Sequence, residues 1–170
     1  MAKGDMKVIG QCMRQPFRIA ASATRGYVGE PMINTATHTS GVASSNVIVV
    51  AVDDDVTVVT EQFVGILAKD MEVTSPTDAT IVAHRTVVDM PFAQLTRIEA
   101  KAKTASTADT ESEAIGLLHD IYMIDLTSSV YTWEPAGADT AAFTVAWYNV
   151  ARSALQCTVD ARGVSRKDIT

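Results

Sequence analysis

The chain has 170 residues, of which 47% are hydrophobic and 20% charged, with a formal net charge of −6. This length fits one domain with its own hydrophobic core, and the composition is that of a globular protein rather than a disordered one. The acidic balance argues against a nucleic-acid-binding protein, which usually presents a basic face. No apolar run is long enough to span a membrane, and no secretory signal follows Lys3 and Lys7, so we expect synthesis in a cytoplasm and no membrane partner.

The charges are distributed unevenly along the chain. Residues 1–46 carry five basic and two acidic side chains, and residues 149–170 carry four basic and two acidic ones. The net charges of these two ends are therefore +3 and +2, which leaves −11 for the middle. Basic ends around an acidic body favour docking between copies or onto an acidic partner, although chance scatter of surface charge gives the same pattern.

The first 46 residues differ from the rest and predict an extended N-terminal arm. Two short strand-like segments, Met6–Ile9 and Phe17–Ala20, are accompanied by several glycines and prolines. The stretch Asn34–Asn46 is small and polar and has no periodic apolar face, which is typical of a loop. A long segment of this kind is usually functional or disordered. We therefore predict an arm over residues 1–46, which orders on a neighbour, and a β-rich domain over residues 47–170.

Residues 47–170 predict a succession of short strands, because β-branched and aromatic residues occur in short runs bounded by turn residues. The predicted strands are Val47–Val52, Val56–Thr60, Phe63–Ala68 with a bulge at Gly65, Ala79–His84, Arg85–Met90, Gln94–Glu99, Ile121–Leu126, Val130–Trp133, Phe143–Trp147 and Leu155–Val159. In the last two strands, apolar and polar residues alternate with the period of a half-buried strand. The fold class predicted is mainly β, a β-sandwich or small β-barrel with one short helix and an extended N-terminal arm.

The one predicted helix covers residues 111–119. Thr110 and Glu113 have the spacing of a capping box, in which the hydroxyl and the carboxylate each accept a backbone N–H. Ile115 and Leu118 would then lie on the same face, with His119 beside them.

Residues that carry chemistry are few and scattered. His38, His84 and His119 have no metal-binding spacing, and Cys12 and Cys157 form neither a disulfide framework nor a zinc cluster. A Cys–His nucleophile pair would need a local signature that is missing here, and Cys157 lies on the apolar phase of its strand. We therefore expect buried thiols, no catalytic residue, no metal and no cofactor.

Two further features have both a structural and a functional interpretation. Asp53–Asp55 offers oxygens to a hard cation but lacks the ligand spacing of a calcium loop, so a charged hairpin tip is favoured. Tyr131, Trp133, Trp147 and Tyr148 would suit an aromatic platform for sugars or bases. Packing in the core or at an interface is the favoured interpretation of these four residues.

The chain resembles the small decoration (cement) proteins of tailed-phage capsids. The resemblance rests on the loop-rich arm, on the strands Val47–Val52 and Val56–Thr60, and on the segment Phe63–Asp70. In that segment a strand of the type F-V-G-[IV]-[AL] is followed by an acidic turn. The likeness covers about half of the chain, and the region from Trp133 to Trp147 matches no part of the family pattern.

The resemblance implies a non-catalytic structural protein, often a homotrimer, on the capsid surface of a virion assembled in the host cytoplasm. It would bind and stabilise the lattice of the major capsid protein at local threefold positions, where many copies raise the avidity. The arm over residues 1–46 would dock on that lattice. Its candidate contact residues are Arg14, Phe17, Arg18, Arg25, Tyr27 and Met32.

Three other functions remain open at this point. The protein would equally suit another virion component, such as a tail or head–tail connector protein. It would also suit a β-sandwich ligand-binding module that uses the aromatic pairs. The third alternative is an enzyme of unrecognised type, with the two cysteines or Asp53–Asp55 as its reactive groups.

Overall fold

The structure, a computed structural model, describes residues 6–19, 25–34, 47–50, 62–72, 85–127, 130–136 and 143–159. Within these ranges the protein is mainly β, with one short α-helix, α1 (Glu111–Gly116), and two single turns of 3-10 helix, Ala105–Thr107 and Val150–Arg152. The strands are β1 (Lys7–Ile19), β2 (Arg25–Gly26), β3 (Pro31–Asn34), β4 (Val47–Val50), β5 (Gln62–Leu67), β6 (Met71–Glu72), β7 (Arg85–Lys101), β8 (Ile121–Thr127), β9 (Val130–Pro135), β10 (Phe143–Asn149) and β11 (Ala154–Val159).

Nine of these strands form one curled sheet in the order β1-β4-β3-β5-β7-β11-β10-β8-β9, and β2 pairs separately with β6. All the pairings are antiparallel except that of β1 with β4. Strand β1 also pairs with β7, so the pairings β1-β4-β3-β5-β7 return to their starting strand. The curled sheet has the form of a half-barrel and confirms the predicted mainly β fold class with one short helix.

The long strands β1 and β7 form an antiparallel ribbon between the two halves of the sheet. One half consists of β4, β3 and β5, and the other of β11, β10, β8 and β9. Their ladder runs from Lys7 opposite Glu99 to Arg18 opposite Arg85. The two separate strands predicted over Arg85–Met90 and Gln94–Glu99 are therefore one continuous strand that includes Pro91, and the predicted separation is wrong. Proline lacks an N–H and is tolerated in a sheet next to a bulge, and the ladder of β1 on β7 shifts register immediately beyond this residue.

Part of the predicted N-terminal arm lies inside the sheet. Strand β1 pairs along its length with β7, and β3 lies between β4 and β5. Met6, Met32 and Ile33 are buried members of the hydrophobic core. These residues are thus integral to the β fold rather than separate from it. The domain boundary at residue 46 stays a prediction, since residues 35–46 and the expected hairpin tip Asp53–Asp55 lie outside the described residues.

An aromatic cluster in the core joins the two halves of the sheet. The ring of Phe143 packs edge-on against Phe63 with centroids 5.1 Å apart, and it packs at a tilt of 56° against Trp133 with centroids 4.9 Å apart. Phe63 comes from β5, whereas Phe143 and Trp133 come from β10 and β9. The indole Nε1 of Trp133 donates a hydrogen bond of 3.2 Å to the carbonyl oxygen of Leu155, so its buried N–H is satisfied.

Helix α1 begins with the predicted capping box. Thr110 Oγ1 accepts the N–H of Glu113 at 3.3 Å, and Glu113 Oε2 accepts the N–H of Thr110 at 3.2 Å. The prediction that Ile115 lies on the apolar face of the helix is wrong, because Ala114 is the buried residue of the helix while Ile115 is exposed. A helix of six residues offers the core a single side chain, and here that is the smallest apolar one.

Gly65 lies where β5 comes close to β7, and a substitution at this position tests that close approach. A Cβ atom at Gly65 would lie 2.4 Å from the carbonyl oxygen of Asp89, and the register of β3 on β5 shifts beside it, which confirms the predicted bulge. Because the backbone would have to move, we expect Gly65→Ala to lower the free energy of unfolding by about 1–3 kcal/mol in urea titrations followed by circular dichroism.

The matched control for this test is Gly116→Ala. No atom lies within 4 Å of the Cβ position at Gly116, and alanine is the better helix former by roughly 0.5–1 kcal/mol. This variant should be as stable as the parent protein or more so. Equal stabilities for the two variants would contradict the close approach of β5 to β7.

Candidate binding surface

The structure separates the six residues predicted to contact a partner. Met32 is fully buried in the core, so its assignment as a contact residue is wrong: the side chain has no surface to offer. Phe17 is partly buried against the core, and Tyr27 is half-buried, with its N–H bonded to Glu30 Oε2 at 3.0 Å. The side chains of these three residues are therefore used at least partly in the fold of this chain rather than in contacts with a partner.

Arg14 is the predicted contact residue that is both described and well exposed. Its guanidinium makes a bidentate ion pair with Asp89 on β7, with distances of 2.7 and 3.0 Å, and its side chain is 67% exposed. The hydrogen bonds to Asp89 raise the pKa of Arg14, so the guanidinium keeps its charge. Arg18 and Arg25 lie on β1 and β2, and their side chains are outside the described part of the structure.

Ionised side chains at the end of β7 are engaged in structural pairs. Lys103 Nζ lies 3.0 Å from Asp125 Oδ1 and 2.8 Å from Glu134 Oε2, which ties the end of β7 to β8 and β9.

Over the described ranges, no group of three or more His, Cys, Asp and Glu residues is placed to hold a metal ion. Among the same residues, no helix has the length and apolar character needed to cross a membrane.

Cys157 is buried and Cys12 is partly exposed, but the pKa of both thiols is raised. Burial raises the pKa of Cys157 well above its ordinary value. Burial and the neighbouring Asp89 carboxylate also raise the pKa of Cys12. Because the thiolate is the nucleophile, these environments suppress reactivity at neutral pH. His38 and His84 lie outside the described residues.

Thiol titration with Ellman's reagent checks this difference. At pH 8 the folded Cys12→Ser variant should release almost no chromophore, because Cys157 is buried and its pKa is raised. The same variant in denaturant should react completely, and the parent protein should react first through Cys12. Fast labelling of Cys157 in the folded variant would contradict the structure and favour an activated thiol.

An exposed apolar surface lies at a bulge in the β1–β7 ribbon. Gly10 pairs with Thr96 and Cys12 with Pro91, so four residues of β7, Phe92–Leu95, stand opposite one residue of β1, Gln11. Phe92 is 40% exposed and Leu95 70%. We call Phe92, Gln94 and Leu95, together with Met13, another exposed apolar residue, the bulge surface.

Thr96 fixes the bulge at its base. Its buried hydroxyl accepts the N–H of Phe92 at 2.8 Å and donates to the carbonyl oxygen of Gln11. Gln94 adopts a left-handed φ of 63° inside the bulge, a conformation that costs a residue other than glycine on the order of 1–3 kcal/mol. The ribbon therefore holds a strained conformation that displays apolar side chains.

The hydroxyl of Thr96 can be tested by replacement with an isosteric side chain. Thr96→Val leaves the Phe92 N–H and the Gln11 carbonyl without their partner, so we expect a loss of about 1–3 kcal/mol in the free energy of unfolding. Thr96→Ser keeps the hydroxyl and loses one methyl group, a smaller effect of about 0.8 kcal/mol. A valine variant as stable as the parent would show that the hydroxyl does not hold the bulge.

A shallow depression of about 310 Å³ adjoins the bulge. It is lined by both polar and apolar residues: Gln94, His119, Thr144, Val145, Ala146, Thr158 and Val159. His119 also has a left-handed φ, 74°, and its backbone N–H donates a hydrogen bond of 2.9 Å to the carbonyl oxygen of Val145. The bulge surface and this recess thus form one region with protruding and concave parts.

The four aromatic residues predicted as a possible platform divide into two pairs. Tyr131 and Trp133 are buried in the core. Trp147 is 53% exposed, and its ring stacks on that of Tyr148 with centroids 5.6 Å apart and an interplanar angle of 13°. Core packing is therefore confirmed for the first pair, and the second pair lies at the surface.

A bulge in β10 explains why Trp147 faces outward. The alternation of Phe143, Val145 and Trp147 predicted one buried face, but the register of β10 on β11 shifts between Val145 and Trp147. Ala146 is the inserted residue, and one extra residue moves all that follow to the opposite face.

The exposed indole begins a row of side chains on the outer face of the sheet. Trp147 stands opposite Gln156, and Gln156 stands opposite Glu99. Glu99 Oε2 accepts a hydrogen bond from Gln156 Nε2 at 2.8 Å, and Glu99 Oε1 accepts one from the Arg152 guanidinium at 2.6 Å. Both Glu99 and Gln156 are buried. We call Gln156, Glu99 and Arg152 the polar row. It was not predicted from the sequence, because the alternation in Leu155–Val159 indicated only which residues face the core.

Comparisons with known proteins add no relative to this description. No protein-family model, curated protein or solved structure matches the chain. The bulge surface and the polar row are therefore the two candidate sites, both defined by the geometry of the chain itself. One sequence signal pointed to the second site, the adjacent aromatic residues Trp147 and Tyr148. No signal pointed to the first site, because a bulge depends on the partner strand.

Proposed function

We propose that this protein is a structural component of a larger assembly, specifically a decoration (cement) protein that binds the major capsid protein on the surface of a tailed-phage capsid. The observation that carries the proposal is the bulge surface. Large apolar side chains that are scattered singly on a surface are ordinary. Here a strained bulge pinned by a buried threonine displays two of them, Phe92 and Leu95.

Energetics favour a binding role for this arrangement. Burying a leucine or phenylalanine side chain against a partner contributes about 1.5–3 kcal/mol relative to leaving it exposed. Leu95 and Phe92 still carry much of that exposed area, and the adjoining recess, which is partly lined by valine and alanine, can receive an apolar side chain in return. A conformation held at the expense of backbone strain indicates that the displayed residues are used.

The resemblance to decoration proteins supplies the identity of the partner. Such a protein repeats one modest contact at many equivalent positions, so that avidity compensates for weak single contacts. The homotrimer implied by the resemblance belongs to the same proposal, because three bulge surfaces on one trimer would engage three neighbouring capsid subunits together. The fixed β1–β7 ribbon suits this role, since it presents the bulge without ordering a flexible segment at binding.

The decisive experiment measures binding of the purified protein to expanded capsid shells that lack it. We expect the double variant Phe92→Ser, Leu95→Ser to lose at least about tenfold in affinity, since the area that the two side chains still expose is together worth more than about 1.4 kcal/mol. Val130→Ser is the matched control, because Val130 is 38% exposed at the start of β9, and it should bind as the parent does.

Circular dichroism and urea unfolding establish that both variants remain folded before binding is compared. Unchanged binding of the folded double variant would overturn the role of the bulge surface. Binding of the parent protein to isolated tails or connectors, and not to shells, would instead favour another virion component.

A further inference from the structure

We propose that the outer face of β7, β11 and β10 carries a carbohydrate-binding site centred on Trp147. The site is separate from the bulge surface and does not depend on the proposed function. Residues directly opposite one another in an antiparallel ladder share a face, with Cβ atoms roughly 4.5–5.5 Å apart. The register Trp147–Gln156–Glu99 therefore places an exposed indole beside a carboxamide and then a carboxylate.

The indole is held as a platform rather than as a free side chain. It lies nearly parallel to the ring of Tyr148, whose hydroxyl donates to Glu111 Oε1 at 3.2 Å on helix α1. One face of a pyranose ring presents only C–H groups, which are weakly positive and apolar. Such a face packs well on an aromatic ring, whose π face is negative.

The polar row supplies the groups that hydroxyls require. Gln156 Nε2 and both oxygens of Glu99 are already fixed by hydrogen bonds to each other and to Arg152. Among the described residues, Gln156 Oε1 is the buried side-chain oxygen that has no hydrogen-bond partner, on a side chain only 7% exposed. An unpaired buried acceptor costs about 1–3 kcal/mol, and a sugar hydroxyl is a donor of the kind it lacks.

A concave space lies at the end of the row formed by Glu99 and Arg152. A depression of about 320 Å³ is lined by Glu99, Ala100, Lys101, Arg152 and Ala154, which is at the lower end of the range of small-ligand sites, about 300–1,000 Å³. The planar side chains of Glu99, Gln156 and Arg152 offer both donors and acceptors, as a polyhydroxylated ligand needs. The row thus runs from the stacking surface of Trp147 through Gln156 to Glu99, which borders the depression.

Charge selects a neutral sugar over an anionic ligand. The Arg152 guanidinium is already paired with Glu99 at 2.6 Å, so the carboxylate would repel a phosphate placed beside it. The protein as a whole carries a net charge of −6, which also disfavours a nucleic-acid strand on this face. Neutral hexose and N-acetylhexosamine oligosaccharides are therefore the expected ligands.

The test uses the full-length protein with maltotriose, cellotriose, mannotriose and tri-N-acetylchitotriose as probes, in saturation-transfer NMR and isothermal titration calorimetry. We expect at least one probe to bind saturably in the millimolar range. Trp147→Ala should lower that affinity by about tenfold or more, the equivalent of 1.4 kcal/mol, and Trp147→Phe should retain part of it. Gln156→Leu should weaken binding while leaving the aromatic platform in place.

Two controls separate this inference from the capsid proposal. The double variant Phe92→Ser, Leu95→Ser should bind the sugar as the parent does, and Trp147→Ala should still decorate shells. Failure of all four probes to bind, or equal affinity in the Trp147→Ala variant, would overturn the carbohydrate site. Binding of AMP or inorganic phosphate without any sugar would overturn it as well.

Discussion

The pairing of β1 with β7 is the interaction on which the rest of the described structure depends. These two strands exchange backbone hydrogen bonds from Lys7 to Arg18, and each of the two halves of the sheet is attached to them. Strand β4 pairs with β1, and β5 and β11 pair with β7. Because the ribbon joins residues about eighty positions apart in sequence, its formation requires a long loop closure, which is slow and entropically unfavourable. The aromatic cluster between the halves then stabilises the closed arrangement.

Two bulges decide which side chains this scaffold presents to its surroundings. In β7 four residues stand opposite one, and Phe92 and Leu95 are displaced outward. In β10 one extra residue reverses the alternation, and Trp147 becomes exposed. Bulges are common beside functional sites because they re-aim side chains without disturbing the sheet around them. Both candidate sites of this protein arise in that way, on an otherwise regular framework.

The sequence predicted local features well and long-range pairing poorly. Leu155, Cys157 and Val159 are buried as their alternation indicated, and the capping box of Thr110 and Glu113 is formed. These features depend on neighbours within a few residues. The place of Lys7–Ile19 in the sheet and the outward turn of Trp147 depend on the partner strand, which no local period reveals. The contact surface expected in the arm stays a prediction, and the bulges that expose Phe92, Leu95 and Trp147 were not predicted.

The closed course of the strand pairings has a consequence for how copies of this protein meet. Within the described residues, β1 bonds back to β7, and the outer strand β9 bridges to Ala102, whose neighbour Lys103 donates to the Trp133 carbonyl at 2.8 Å. Open backbone edges are the usual template for runaway strand addition between molecules. Where a described strand bonds back to this chain, as β1 does to β7, that edge is closed to a strand of another molecule. At such an edge, contact with another molecule is left to side chains.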